Sequence, residues 1–137
     1  MLALVVVQEV SVFRALNVFI ADDSEIIQQQ LQSAISLIDG CKLVGTAGGN
    51  SNAIGPIRTL QPDFVIFDIS MPHREGIRVL REIRQAVPLA QIAIFTGDPS
   101  VVLQEVCLEA GANFYLDKSQ IHDLIDIVSA RLVHTEH

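Results

Sequence analysis

The sequence predicts an α/β domain in which a doubly wound, five-stranded parallel sheet is covered by helices on both faces. Short runs rich in Val, Ile and Phe recur roughly every 20 to 30 residues, and stretches with helical spacing of apolar residues lie between them. Half of the 137 residues are hydrophobic, which is enough for a substantial core. No repeat or low-complexity tract interrupts the pattern, so one domain is expected.

Five segments are predicted as strands because they are short and almost entirely apolar, as strands buried on both faces must be. They are Leu16–Ala21, Lys42–Thr46, Phe64–Asp68, Gln91–Thr96 and Phe114–Leu116. Each is followed by a predicted helix. The first and last helices are indicated by apolar residues at helical spacing: Ile27, Leu31, Ile35 and Ile38 in the first, and Ile121, Leu124, Val128 and Leu132 in the last.

Local signals predict where individual helices begin and which residues face solvent. Asp98 and Pro99 predict the N-cap and first residue of the fourth helix, and the Gly55-Pro56 pair predicts an irregular second helix. Two sets of polar side chains are predicted to face solvent: the glutamines of the first helix (Gln28, Gln29, Gln30, Gln32) and the arginines of the third (Arg74, Arg78, Arg81, Arg84).

Composition argues against several functions. Nine Lys and Arg against sixteen Asp and Glu give a net charge of −7, which disfavours direct binding to nucleic acid or to an anionic membrane. Cys41 and Cys107 lack the spacing of a disulfide framework or a zinc site, so a reducing cytoplasm is expected. The apolar start, Leu2 to Val7, is too short to span a bilayer and lacks the pattern of a signal peptide.

The residues at the ends of the predicted strands form a chemically coherent set. Ligands of an open parallel sheet bind outside the carboxyl ends of its strands. Three carboxylates, one hydroxyl and one ammonium group are expected there, from Asp22, Asp23, Asp68, Thr96 and Lys118. Each is unremarkable taken singly, since paired aspartates can cap a helix and a lysine can lie on the surface. Their arrival at four strand ends together favours a functional site.

Three carboxylates that the fold brings together repel one another unless a cation lies among them, and oxygen ligands suit Mg²⁺. With a metal and Lys118 neutralising a tetrahedral anion, an aspartate can attack phosphorus and form an acyl phosphate. Asp68 is best placed for this role, because it belongs to an expected central strand and precedes a loop, Ile69 to Gly76.

Four ordered segments make the sequence resemble the receiver domain of bacterial two-component response regulators, over Asn17 to about Leu132. They are Asp22-Asp23 after an apolar strand, Phe67-Asp68-Ile69-Ser70-Met71-Pro72 with Gly76 four residues later, Phe95-Thr96-Gly97, and Gly111-Ala112 followed by Tyr115 and Lys118. The resemblance implies a flavodoxin-like sheet with strand order 2-1-3-4-5.

The resemblance also implies a role for each residue. Asp68 would be the phosphorylated residue, with Thr96 and Lys118 completing the catalytic set. Thr96 and Tyr115 would be a switch pair, and the Mg²⁺ ligands would be Asp22, Asp23, Asp68 and the backbone carbonyl of Ser70. One departure stands out, because Ser119 follows Lys118 where the family usually has proline.

The function implied is a stand-alone receiver in a phosphorelay. It would take its phosphoryl group from a sensor histidine kinase or a histidine phosphotransfer protein, and it would signal by contact with an unknown downstream protein. It would catalyse at most its own phosphorylation and dephosphorylation. Two alternatives stay open: the receiver part of a longer DNA-binding regulator, and an aspartyl-nucleophile phosphohydrolase. The second is weaker, because such enzymes need an acid where this chain has Ser70.

The predicted domain boundaries leave short segments outside the receiver, which is expected over residues 15–134 with a tail at 135–137. Residues 1–14 are rich in β-branched side chains and favour an added strand. In the implied strand order the first strand is central, so this extension would have to reach a sheet edge or a second copy of the chain. A homodimer is therefore an option.

Overall fold

The computed structural model describes residues 14–69, 73–98 and 100–135. These ranges contain a parallel sheet with strand order β2-β1-β3-β4-β5. Its strands are β1 (Leu16–Ala21), β2 (Cys41–Ala47), β3 (Phe64–Phe67), β4 (Gln91–Thr96) and β5 (Phe114–Asp117). The predicted fold class and order are confirmed, with strand ends within one residue of those expected. Asp68 follows β3 rather than ending it.

The helices are α1 (Glu25–Ser36), α2 (Ile54–Leu60), α3 (His73–Ala86), α4 (Val101–Ala110) and α5 (Ile121–Thr135). The predicted irregularity of the second helix is confirmed, because a 3₁₀ turn at Ser51–Ala53 precedes a helix of 7 residues. Pro56 lies in its first turn, where a backbone N–H is not needed for helical hydrogen bonds. None of the helices in the described ranges combines the length and apolar character needed to cross a membrane.

The core lies on both faces of the sheet, because side chains alternate along each strand. Phe19 and Ala21 of β1 pack in a cluster with α2, α3 and α4. Val18 and Ile20 pack on the opposite face with α1 and α5. Because the five strands are parallel, their carboxyl ends lie together at one edge of the sheet.

The strand register aligns the residues that leave this edge. Ala21 pairs with Ala47 on one side and with Phe67 on the other. The next residues along β1 and β3 are Asp22 and Asp68, so these two aspartates leave neighbouring strands at the same level.

Two helix starts are set by serines. Ser24 caps α1, its hydroxyl accepting a hydrogen bond from the Ile27 amide at 3.3 Å, so neither Asp22 nor Asp23 is used as the N-cap. Ser100 caps α4, which corrects the prediction that Asp98 does so. The carboxylate of Asp98 instead accepts a hydrogen bond from the Ser100 amide at 3.0 Å.

The third helix departs from the prediction at one arginine. Arg78 is solvated and forms ion pairs with Glu75 and Glu82, as expected. Arg84 is half-buried, and its guanidinium donates to the carbonyl oxygens of Gly111 at 2.8 Å and Ala90 at 2.7 Å. It thereby connects the chain segments that lead into β4 and β5.

The predicted strand in the N-terminal extension falls on residues 1–13, which lie outside the described residues. Arg14 is the first described residue, and its guanidinium lies 3.5 Å from the carboxylate of Asp63. The boundaries predicted for the receiver and its tail stay a prediction.

Candidate functional site

Asp22 leaves β1 in a position fixed by backbone hydrogen bonds. Its amide donates to the carbonyl of Ala47 at 2.9 Å, which continues the pairing of β1 with β2. The residue is 1% exposed. One carboxylate oxygen, Oδ1, accepts a hydrogen bond from the Ser24 amide at 2.8 Å, and the other, Oδ2, lies 3.1 Å from Nζ of Lys118. Its side chain therefore points into the strand-end site.

Asp68 leaves β3 in the equivalent position. Its amide donates to the carbonyl of Ala21 at 2.9 Å, and the residue is 2% exposed. Its Oδ2 accepts a hydrogen bond from Nζ of Lys118 at 3.2 Å. A single ammonium group thus lies between the two buried carboxylates.

Lys118 reaches this position from the segment after β5, where its amide donates to the carbonyl of Thr96 at 2.9 Å. Burial disfavours the charged ammonium, but the hydrogen bonds and attraction from Asp22 and Asp68 outweigh this effect and raise the pKa of Lys118. The side chain is therefore a permanent cation at neutral pH. Backbone pairing with β4 is retained here although Ser119 follows the lysine.

Asp23 follows Asp22 and is exposed. Its Oδ1 accepts a hydrogen bond from the Gly49 amide at 3.1 Å. Gly48 and Gly49 follow β2. A Cβ at Gly48 would lie 2.5 Å from Oδ1 of Asp23, and one at Gly49 would lie 2.7 Å from the main-chain oxygen of Asp68. This loop therefore forms a wall of the site, and the sequence analysis missed it because only the fold brings the Gly-Gly pair against the aspartates.

Thr96 and Tyr115 contact the same residue of the loop after β4. The Thr96 hydroxyl, buried at 1% exposure, accepts a hydrogen bond from the Asp98 amide at 3.2 Å. The Tyr115 hydroxyl donates to the carbonyl of Asp98. Burial, followed by repulsion from the Asp98 charge, raises the pKa of Tyr115 to about 12. The predicted switch residues thus share one backbone partner.

The structure brings Asp22, Asp68 and Lys118 into direct contact and places Asp23 at the edge of the site. Ser70, the remaining predicted ligand, lies outside the described residues. In the parts of the chain that the structure describes, no three acidic, histidine or cysteine side chains are grouped as a metal site. The donor chemistry nevertheless fits a hard divalent cation, because two buried carboxylates share one ammonium and Asp23 adds a third negative charge.

Comparisons with known proteins agree with this geometry. The family model of the response regulator receiver domain matches residues 18–129. The transcriptional regulatory protein LnrK of Bacillus subtilis is 29% identical over 110 residues, which cover 80% of this chain and 50% of that protein. The response regulator UvrY of Escherichia coli is 31% identical over 103 residues, covering 75% and 47%.

A solved structure shows the same architecture. The crystal structure of a LuxR-family two-component response regulator from Aurantimonas has a TM-score of 0.77 at 29% identity and covers 88% of this chain and 86% of that one. The chain spans about half the length of the two curated relatives. The family match over most of the sequence, together with the strand order, shows that this chain belongs to the response regulator receiver domains of two-component systems.

Proposed function

We propose that this receiver accepts a phosphoryl group on Asp68 from the phosphohistidine of a sensor kinase or a histidine phosphotransfer protein. The observation that carries the proposal is the position of Lys118, whose Nζ lies 3.1 Å from Asp22 and 3.2 Å from Asp68. Both carboxylates are almost fully buried, so they are held without the freedom of surface side chains. The acceptor therefore stands beside a fixed cation.

The chemistry is an in-line transfer. A carboxylate oxygen of Asp68 forms a bond to phosphorus while the bond from phosphorus to the imidazole nitrogen of the donor breaks, and the electron pair of that bond stays with the imidazole. Lys118 can pair with a phosphoryl oxygen once Asp68 is phosphorylated, because its raised pKa keeps it charged. The Thr96 hydroxyl can do the same after leaving the Asp98 amide.

Receiver domains generally bind Mg²⁺ at the phosphorylation site. In this chain the residues proposed to hold it are Asp22, Asp23, Asp68 and the carbonyl of Ser70. When bound, the metal would neutralise negative charge on the transferring phosphoryl group.

The proposed output is a change at the surface near Thr96 and Tyr115. Both residues hydrogen-bond to the backbone of Asp98, so a movement of Thr96 toward Asp68 removes one of the hydrogen bonds that hold this loop. The loop precedes α4, and a downstream protein that contacts this region would sense the change. One covalent group can thereby bias a two-state element.

Phosphorylation by acetyl phosphate with Mg²⁺, followed by intact-mass spectrometry, tests the acceptor assignment. We expect wild type to gain one phosphoryl group and Asp68→Asn to gain none, because a neutral amide is a poor nucleophile. Asp126→Asn makes the same chemical change on the exposed surface of α5 and should label like wild type. Undiminished labelling of Asp68→Asn would remove Asp68 from the proposed role.

A second candidate is the receiver part of a longer DNA-binding regulator, which is favoured by the lengths of the relatives. LnrK carries a transcriptional regulator's name, and this chain matches half of it. The open reading frame of the native gene distinguishes a stand-alone receiver from this candidate. A reading frame that encodes a helix-turn-helix region after the receiver would support the longer regulator.

A further inference from the structure

Gln28 connects the first helix to the strand ends beneath the acidic site. Its Nε2 lies 2.6 Å from the carbonyl oxygen of Asp22 and 3.2 Å from the carbonyl oxygen of Ala47. A glutamine amide carries two N–H donors, so one side chain can satisfy both acceptors. The two carbonyls belong to neighbouring chain segments, the end of β2 and the residue after β1.

The side-chain amide of Gln28 adds a hydrogen bond to the turn after β1, which contains Asp22 and Asp23. The Asp22 amide donates to Ala47 at 2.9 Å, and the Asp22 carbonyl accepts from Gln28, so the main chain of Asp22 is held at both of its polar groups. The Ser24 amide then donates to the Asp22 carboxylate at 2.8 Å. The directions of the Asp22 and Asp23 side chains depend on this short backbone turn.

The sequence predicted all four glutamines of α1 on the solvent side, and Gln28 differs from Gln29 and Gln30. Gln29 and Gln30 are exposed, whereas Gln28 and Gln32 are partly buried. Gln28 is the one whose side chain hydrogen-bonds to the strand ends. The prediction was wrong for Gln28 because helical periodicity identifies the face of a residue but not a long side chain that bends back over the preceding turn.

We propose that Gln28 is a positioning residue for metal binding by the acidic site, a role that rests on the proposed function. Gln28 contacts backbone carbonyls and no reacting atom, so it acts through Asp22 and Asp23. Without its amide, the carbonyl oxygens of Asp22 and Ala47 lose the side-chain donor that joins them to α1. The two carboxylates are then oriented less precisely for a shared cation. Groups that orient metal ligands in this way change metal affinity even though they do not touch the metal.

Gln28→Met tests this role, because methionine keeps the length, neutrality and helix propensity of glutamine but has no N–H donor. Gln29→Met is the matched control on the exposed face of the same helix. Phosphorylation by acetyl phosphate is measured as a function of Mg²⁺ concentration, and Mg²⁺ affinity alone is measured by NMR titration. For Gln28→Met we expect a Mg²⁺ requirement and a Mg²⁺ dissociation constant about 10-fold higher, with the rate at saturating Mg²⁺ retained. Gln29→Met should match wild type.

The two readouts separate the possible results. Equal Mg²⁺ dissociation constants for Gln28→Met and Gln29→Met would overturn the proposal, even if Gln28→Met melted at a lower temperature. If wild type were not labelled on Asp68 but the NMR titration still separated the two variants, the assignment of Asp68 as phosphoacceptor would fail, whereas Mg²⁺ binding by the acidic site and the positioning role of Gln28 would stand. Gln28→Asn keeps the amide on a shorter side chain that cannot reach both carbonyls. It serves as the second variant if Gln28→Met does not fold, and unchanged Mg²⁺ affinity in it would equally overturn the proposal.

Discussion

Replacement of Gly49 by alanine should distort the candidate site through a backbone contact. A Cβ at this position would lie 2.7 Å from the main-chain oxygen of Asp68 and 3.5 Å from that of Ala21. Ordinary contacts begin near 3.4 Å, so the loop and β3 would have to separate by about 0.7 Å. The Ala21 oxygen accepts the hydrogen bond from the Asp68 amide, so moving either residue disturbs the backbone contact between β1 and the end of β3.

The expected cost follows from the geometry of this contact. Inserting a methyl group into a packed site typically lowers the free energy of unfolding by about 1 to 3 kcal/mol. For a domain of 137 residues, this corresponds to a melting temperature lower by about 4 to 10 °C. The same displacement would lengthen the hydrogen bond from the Gly49 amide to Asp23, so the effect of Mg²⁺ on stability should also weaken.

Urea and thermal unfolding followed by circular dichroism measure this effect, with Gly97→Ala as the matched control. A Cβ at Gly97 has no described atom within 4 Å, so that variant should stay within about 0.5 kcal/mol of wild type. Equal unfolding free energies for Gly49→Ala and Gly97→Ala would refute the steric argument.

Three further predictions concern metal binding, pH dependence and stability. Mg²⁺ should raise the melting temperature of wild type, because it relieves repulsion among the carboxylates, and Asp23→Asn should reduce that rise. Burial and then the Asp98 charge raise the pKa of Tyr115 from 10.0 to about 12, so the neutral phenol stabilises the fold below pH 10 and that contribution is lost between pH 10 and 12. Tyr115→Phe should remove this part of the alkaline loss. Arg84→Lys should lower the free energy of unfolding by about 2 kcal/mol, because an ammonium cannot reproduce the guanidinium hydrogen bonds.

Each of these three predictions can be measured directly, and a specific result would contradict it. An Asp23→Asn protein with the full Mg²⁺-induced rise in melting temperature would remove Asp23 from the ligand set. Tyr115 is the only tyrosine in a sequence without tryptophan, so its ionisation can be followed by ultraviolet absorbance, and a midpoint near 10 would contradict the burial argument. For Arg84→Lys, unchanged chemical unfolding would show that the carbonyl contacts contribute little, and Arg81→Lys on the exposed helix surface is the control.

The sheet and the central part of the site could be predicted because they depend on patterns local to each strand. A buried parallel strand needs a continuous apolar run, and the next residue then lies at the common edge, as Asp22 and Asp68 do. Once the strand order was implied by family resemblance, the proximity of Lys118 followed as well.

The parts that could not be predicted depend on contacts between elements distant in sequence. Arg84 lies on a helix face with other arginines, yet the turn at Gly111 provides carbonyls within its reach. Gly111 has φ +122, and a Cβ there would lie 2.8 Å from the Arg84 side chain. The prediction of Asp98 as the N-cap of α4 was wrong for a different reason, since serine and aspartate both cap helices well and the backbone path places Ser100 at the cap.

The contact between Lys118 and Asp68 has a consequence for co-translational folding. The two residues are 50 positions apart, and Asp22 lies farther still from the lysine. Contacts of such long sequence separation form late, because the intervening loop must close before they stabilise anything. During synthesis, a nascent chain that has emerged only through β4 already contains both aspartates but not their cation. The ammonium of Lys118 reaches the two carboxylates only after β5 has emerged, so the strand at the edge of this sheet is the one that completes the ion pairs of the site.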